Sequence, residues 1–132
     1  MITSRVIIAD ATCLILLSKI DLLSVLHDLF EDIRVTPEVA AEFGDPIPGW
    51  IVVEHAPAAP HITFDSRLGS GECSSILLAV HHNSSIILDD LRARNFAKQL
   101  GLTVIGTLGI LLHANFRLSE EVITSFLRSA NE

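Results

Sequence analysis

Residues 5–17 pass without a turn residue from the run Arg5-Val6-Ile7-Ile8-Ala9 into Asp10-Ala11-Thr12-Cys13-Leu14-Ile15-Leu16-Leu17. A short, near-continuous apolar run is the mark of a strand buried on both faces, as in a parallel sheet. The run stops at Asp10 and a helical apolar pattern follows at once. Asp10 therefore stands at the C-terminal edge of a central strand, where open α/β sheets bind ligands. An Asp there also serves as an ordinary helix cap. These residues alone leave the two readings level, and further carboxylates at similar places in the chain favour the first.

At 132 residues the chain is read as one domain, residues 1–132, long enough for a real core. Hydrophobic residues make up 49% of it and the mean hydropathy is +0.49, which excludes a disordered chain. That content lies in short runs such as the four residues Leu14–Leu17, far from the ~18 apolar residues of a membrane span. The N-terminal stretch has no long apolar region or small-residue cleavage site, so a cytoplasmic location is expected. Cys13 and Cys73 both fall on apolar helix faces and read as buried thiols instead of a disulfide framework. The net charge of −7, from 16 acids and 9 bases, argues against broad nucleic-acid binding through a basic surface. It leaves room for a nuclease whose acidic metal site supplies several of those charges. Six Phe, one Trp and no Tyr offer little for base stacking.

Further along, Asp21 is placed to cap a helix over Leu22–Phe30, and Ile33–Val35 is a short strand. Thr36-Pro37-Glu38 supplies N-cap, first-turn proline and first-turn acid for a helix ending near Gly44. Trp50–Val53 reads as an edge strand, and Ala56–Leu68 as a loop near the functional face. Gly69-Ser70-Gly71-Glu72 opens a helix with Cys73, Ile76, Leu77 and Val80 on one side, closed by Asn83 in a left-handed conformation. Ser85–Leu88 is a buried strand ending in Asp89-Asp90. A helix over Leu91–Leu100 closes at Gly101, Thr103–Ile105 is a strand, and Thr107 caps a helix over Leu108–Asn115. Ser119 caps a last helix from Glu120 to about Ala130. This alternation predicts an α/β fold: a three-layer α/β/α sandwich around a parallel sheet of about five strands.

Asp10 and Asp89 each end a buried strand just before a helix, and neighbouring strands would bring them to one crevice. Glu72 lies in the first turn of the helix leading to Asp89. Glu42 lies in the last turn of its helix, where a negative charge opposes the helix dipole. Several carboxylates crowded together raise one another's pKa. A hard divalent cation such as Mg²⁺ removes that penalty, taking oxygen ligands and keeping several waters. With phosphate as the remaining ligand, the set points to metal-assisted phosphodiester hydrolysis.

The segments Ile8-Ala9-Asp10-Ala11-Thr12-Cys13-Leu14-Ile15, Thr36-Pro37-Glu38-Val39-Ala40-Ala41-Glu42-Phe43 and Gly69-Ser70-Gly71-Glu72-Cys73-Ser74-Ser75-Ile76 then carry a resemblance. They continue in Ile87-Leu88-Asp89-Asp90 and Leu100-Gly101-Leu102-Thr103-Val104-Ile105-Gly106-Thr107-Leu108-Gly109-Ile110-Leu111. Together they resemble the PIN domains, in particular the small prokaryotic group related to VapC-type toxins. The resemblance implies a dimeric, Mg²⁺- or Mn²⁺-dependent ribonuclease acting on RNA and paired with a small antitoxin protein. It implies Asp10, Glu42, Glu72 and Asp89 as the catalytic acids, with Asp10, Glu72 and Asp89 on the metal and the Thr12 hydroxyl in support. It also places the first strand between the Ile33–Val35 and Ser85–Leu88 strands. The group often carries Arg two residues after the fourth acid; here that position is Leu91, and Arg92 comes one place late.

Other residues have plainer readings beside the functional ones. Asp90 is a supporting acid or the cap of the next helix, the cap being favoured. Arg92, Arg94 and Lys98 are candidate RNA phosphate contacts or a solvated helix face. His81 and His82, adjacent on a helix, are expected to point apart and so to make a poor metal pair, and are read as serving the helix C-terminus, which favours a partly protonated His. A phosphoacceptor receiver would need Lys at a late strand end, where none stands. A haloacid-dehalogenase-type phosphatase would need Asp at position 12, and a dinucleotide-binding domain would need Gly-x-Gly-x-x-Gly. The rival that survives is a catalytically silent binding or dimerisation module on the same scaffold.

Overall fold

The computed structural model describes residues 6–114, together with 124, 127 and 128. The elements run β1 (Val6–Ala9), α1 (Ala11–Lys19), α2 (Ser24–Leu29), β2 (Asp32–Val35), α3 (Pro37–Phe43) and β3 (Ile51–Val53). They continue with α4 (Ser70–His82), β4 (Ser85–Ile87), α5 (Leu91–Gln99), β5 (Val104–Ile105) and α6 (Thr107–His113). All strand pairs are parallel and their order is β3-β2-β1-β4-β5. β1 is thus central, with Ile8 opposite Arg34 on one side and Ile86 on the other, as the resemblance implied.

Alternation along β1 feeds two cores. Ile7 and Ala9 face a layer built from α1, α2, α3 and α6, where Leu14, Leu17, Leu26, Val39, Ile110 and Leu111 are buried. Ile8 faces the other way, into Leu68, Ile76, Leu78, Ala79, Ala93 and Ala97 from the long loop, α4 and α5. A strand apolar on both faces can only sit between two helical layers, and the three-layer sandwich follows. The chain first works outward from β1 through β2 to β3, then returns to place β4 against the other side of β1. The crevice at the C-terminal ends of β1 and β4 is the switch point of the sheet.

Helix ends show where local sequence decided the structure. Thr36 caps α3 through its side chain, 3.2 Å from the Val39 N–H, and Gly44 closes it at φ 81°. Asn83 ends α4 at φ 50°, with the Ser84 N–H bonded back to the Ala79 carbonyl. Asp21 behaves otherwise than its sequence context suggests. It stands at φ 60°, and the Leu22 N–H bonds to the Leu17 carbonyl at 2.8 Å, so it terminates α1 instead of starting α2. Asp tolerates the left-handed region better than most residues, so one residue type serves either role. Thr107 is likewise the first residue of α6 and not its cap, which is Gly106. Of the helix expected over Glu120–Ala130, only residues 124, 127 and 128 are among those described, and they are helical. Among the described residues, no helix is long and apolar enough to cross a membrane.

Candidate metal centre

Asp10 leads directly into α1 from the end of β1, yet its side chain makes no capping hydrogen bond to the helix. The residue is 4% exposed, and Oδ1 has no hydrogen-bond partner among the described residues. A buried carboxylate oxygen left unpaired is costly, so the plain capping role does not account for it. Burial pushes the Asp10 carboxyl up to about 7; the Ala11 N–H pulls the other way, and the charges of Glu72, Glu42 and Asp89 push it further up. The four acids singled out in the sequence therefore share one crevice and repel across it.

Each of the other three is held by a different element. Glu72 lies in the first turn of α4, where its Oε1 accepts the Gly69 N–H at 3.0 Å. Glu42 reaches in from the last turn of α3. A Cβ on Gly71 would lie 3.3 Å from Glu42 Oε1 and 3.7 Å from Asp10 Oδ1, so Gly71 leaves those carboxylates the room they occupy. α3 and α4 are tied by a buried hydrogen bond of 2.7 Å between the hydroxyls of Thr36 and Ser74. Ser74 also donates to the Gly71 carbonyl at 3.0 Å, which fixes the turn carrying Glu72. Asp89 follows β4, and its Oδ1 accepts the Thr107 N–H at 2.8 Å while its Oδ2 accepts the Thr107 hydroxyl.

Thr107 is the residue that sequence reasoning missed. It was legible only as a helix-capping threonine, whereas it is fully buried and orients an acid 18 positions away. Cys13 lies against it, and burial pushes that thiol up, so it is an inert neighbour. Thr12 is half-buried in the first turn of α1, two residues from Asp10.

The remaining candidates separate. Asp90 accepts the Ala93 N–H at 2.9 Å and is the N-cap of α5, which explains its side chain without a ligand. Arg94 donates to the Leu88 carbonyl at 2.9 Å, and its Nη1 and Asp89 Oδ1 both crowd the space beside Gly106. It is fixed at the acidic crevice. Arg92 is exposed and lines an open groove of about 560 Å³ with Asp65, Arg67, Leu91, Asn95 and Gln99. The loop before α4 forms the other wall of this groove, with Phe64 packed on Phe96 at 5.1 Å. Lys98 is exposed in the last turn of α5, about 9 Å along the helix from Arg92. His81 and His82 lie in the last turn of α4, at the opposite end of that helix from Glu72.

The donor set suits a hard divalent cation: carboxylate oxygens only, one of them buried and without a hydrogen-bond partner among the described residues, and repelling one another across the crevice. Asp10, Glu72 and Asp89 are the residues that would hold it, with Glu42 beside them.

A family model described as a PIN domain matches residues 6–117. Among solved structures, a PilT N-terminus domain protein from the hyperthermophilic archaeon Sulfolobus solfataricus is similar, with a TM-score of 0.61 at 16% identity. The match covers 87% of this chain and 98% of that one, and at this identity it is a likeness of fold. No curated protein gives a match. With the family match spanning most of the chain and the four acids gathered at the sheet's switch point, the chain belongs to the PIN-domain family, a fold generally used by nucleases.

Proposed function

We propose that this chain is a Mg²⁺- or Mn²⁺-dependent endoribonuclease that hydrolyses RNA phosphodiester bonds, acting as the toxin of a toxin–antitoxin pair. The observation that carries the reading is the buried, unpaired Oδ1 of Asp10 among three further carboxylates. When bound, the ion supplies an activated water and neutralises charge on the phosphate. Asp10, Glu72 and Asp89 hold it. Thr107 keeps Asp89 aimed at the crevice, and Gly69 does the same for Glu72. Glu42 is exposed at the rim of the crevice, which suits a group that accepts a proton from water. Arg94, fixed beside Asp89, and the exposed Arg92 and Lys98 are the contacts for RNA phosphates.

An acidic crevice in a chain of net charge −7 attracts cations, so the antitoxin is expected to insert an Arg between Asp10 and Asp89. The chain is proposed to act as a homodimer, whose two-fold contact would extend the groove over both subunits. The silent-module reading draws on one observation: Thr107 engages both oxygens of Asp89, which has a structural use without any metal. Incubation of total RNA with the purified protein separates the two. Cleavage that requires Mg²⁺ or Mn²⁺, stops in EDTA and is lost in Asp10→Asn supports the nuclease. Cleavage that persists in EDTA, or in the Asp10→Asn protein, contradicts it.

A further inference from the structure

A second cluster of metal-binding side chains lies away from the acidic crevice. His81 and His82 do not diverge as neighbours on a helix are expected to; their rings meet edge to face with centroids 5.0 Å apart. Glu54, just past the end of β3, joins them, and one ligand atom from each of the three residues lies within 4.8 Å of the others. Glu72 and His82 are ten positions apart on α4, about 15 Å along its axis, so the two sites are separate.

We propose that Glu54, His81 and His82 form a divalent-metal site for a borderline ion of the Zn²⁺ class. Two imidazoles and one carboxylate, with water in the fourth position, make a common tetrahedral zinc donor set. Such a site needs donor atoms about 3.4 Å apart, so His82 Nε2 and Glu54 Oε1, now 2.7 Å apart, would part by about 0.7 Å while the His81 donor, within 4.8 Å of them, would move in by up to about 1.4 Å. His81 is exposed and free to make that movement. The carboxylate is already oriented: Glu54 Oε1 accepts Arg34 Nη1 at 3.0 Å and lies 2.7 Å from His82 Nε2. Arg34 is itself held by Asp32, through Nε at 2.9 Å and Nη2 at 3.0 Å. A ligating carboxylate fixed by a hydrogen-bonded partner is the usual outer shell of a metal site. Imidazole donors select against Mg²⁺, which demands oxygen. The bound ion would pin the last turn of α4 to the end of β3, independently of the nuclease reading.

The test is calorimetric titration of the full, metal-stripped chain with Zn²⁺ in excess Mg²⁺, which competes for oxygen-only sites and not for imidazole. One equivalent of Zn²⁺ is expected, with Co²⁺ giving the visible bands of a tetrahedral site. His81→Ala, an exposed change that leaves folding intact, and His82→Ala should each weaken Zn²⁺ at least about tenfold. Asp10→Asn should leave Zn²⁺ affinity unchanged. The proposal is overturned if no equivalent of Zn²⁺ binds, if the histidine variants bind as tightly as the wild type, or if Asp10→Asn removes the binding.

Discussion

Asp10 is almost fully buried and one of its oxygens has no partner among the described residues, a costly arrangement for a carboxylate. Its carboxyl is raised from 3.8 to about 7, by burial first and by the neighbouring acids after it. Between those pH values the native state binds more protons than the unfolded chain, so the stability of the metal-free protein falls as pH rises from about 4 to 7. Replacing Asp10 by Asn removes that dependence. Urea unfolding at pH 8 without metal should find Asp10→Asn more stable than wild type, by as much as ~4 kcal/mol, and the two should converge near pH 4. Thr107→Val is the complementary change. It keeps shape but removes the hydroxyl that donates to Asp89, and a hydrogen bond to a charged group contributes about 1.5–3 kcal/mol. Thermal melts should register that loss, and Mg²⁺ affinity should fall about 10–100-fold as an orienting partner disappears.

At the scale of elements, the acids were legible because each ends a strand or begins or ends a helix, places that sequence punctuation marks well. Thr36-Pro37 and Gly44 bracket α3 as their residue types require, and Asn83 and Gly101 close α4 and α5. Whether Asp10 capped α1 or faced a ligand was not legible, because both roles use the same residue at the same position and differ only in where one oxygen points. Asp21 failed for a related reason: only four residues separate the end of α1 at Lys19 from the start of α2 at Ser24, so one Asp between them can serve either helix. Thr107 and the cluster of Glu54 with His81 and His82 depend on contacts 18 to 28 positions apart, which no local pattern encodes. Gly71 gives the element-scale prediction. Alanine suits a helix better than glycine by up to ~1 kcal/mol, but its Cβ would press on Glu42 Oε1 at 3.3 Å. Gly71→Ala should therefore melt no lower than wild type, while any metal-dependent cleavage falls several-fold; a drop in melting temperature would place the strain in the backbone instead.

For the whole molecule, the parallel order β3-β2-β1-β4-β5 turns scattered carboxylates into one site, because β1 and β4 deliver Asp10 and Asp89 side by side and α3 and α4 cover them. That the sheet was parallel followed from strands apolar on both faces; the strand order came from the resemblance to PIN domains, since periodicity carries no information on neighbours. If the proposed antitoxin exists, the net charge of −7 predicts that its basic segment associates quickly and loosens as salt rises, with Mg²⁺ competing for the proposed metal site. Association rates measured across an ionic-strength series, with and without Mg²⁺, check this. The central claim is that Asp10 is a buried acid set aside for a metal, and a metal can bind it only by displacing its proton. Titration of the protein with Mg²⁺ at pH 6, in two buffers of different ionisation enthalpy, counts that proton directly. The account predicts release of roughly one proton per Mg²⁺ bound by the wild type, and Mg²⁺ binding at least about tenfold weaker, with no such release, in Asp10→Asn. Equal Mg²⁺ affinity and equal proton release in the two proteins would contradict it.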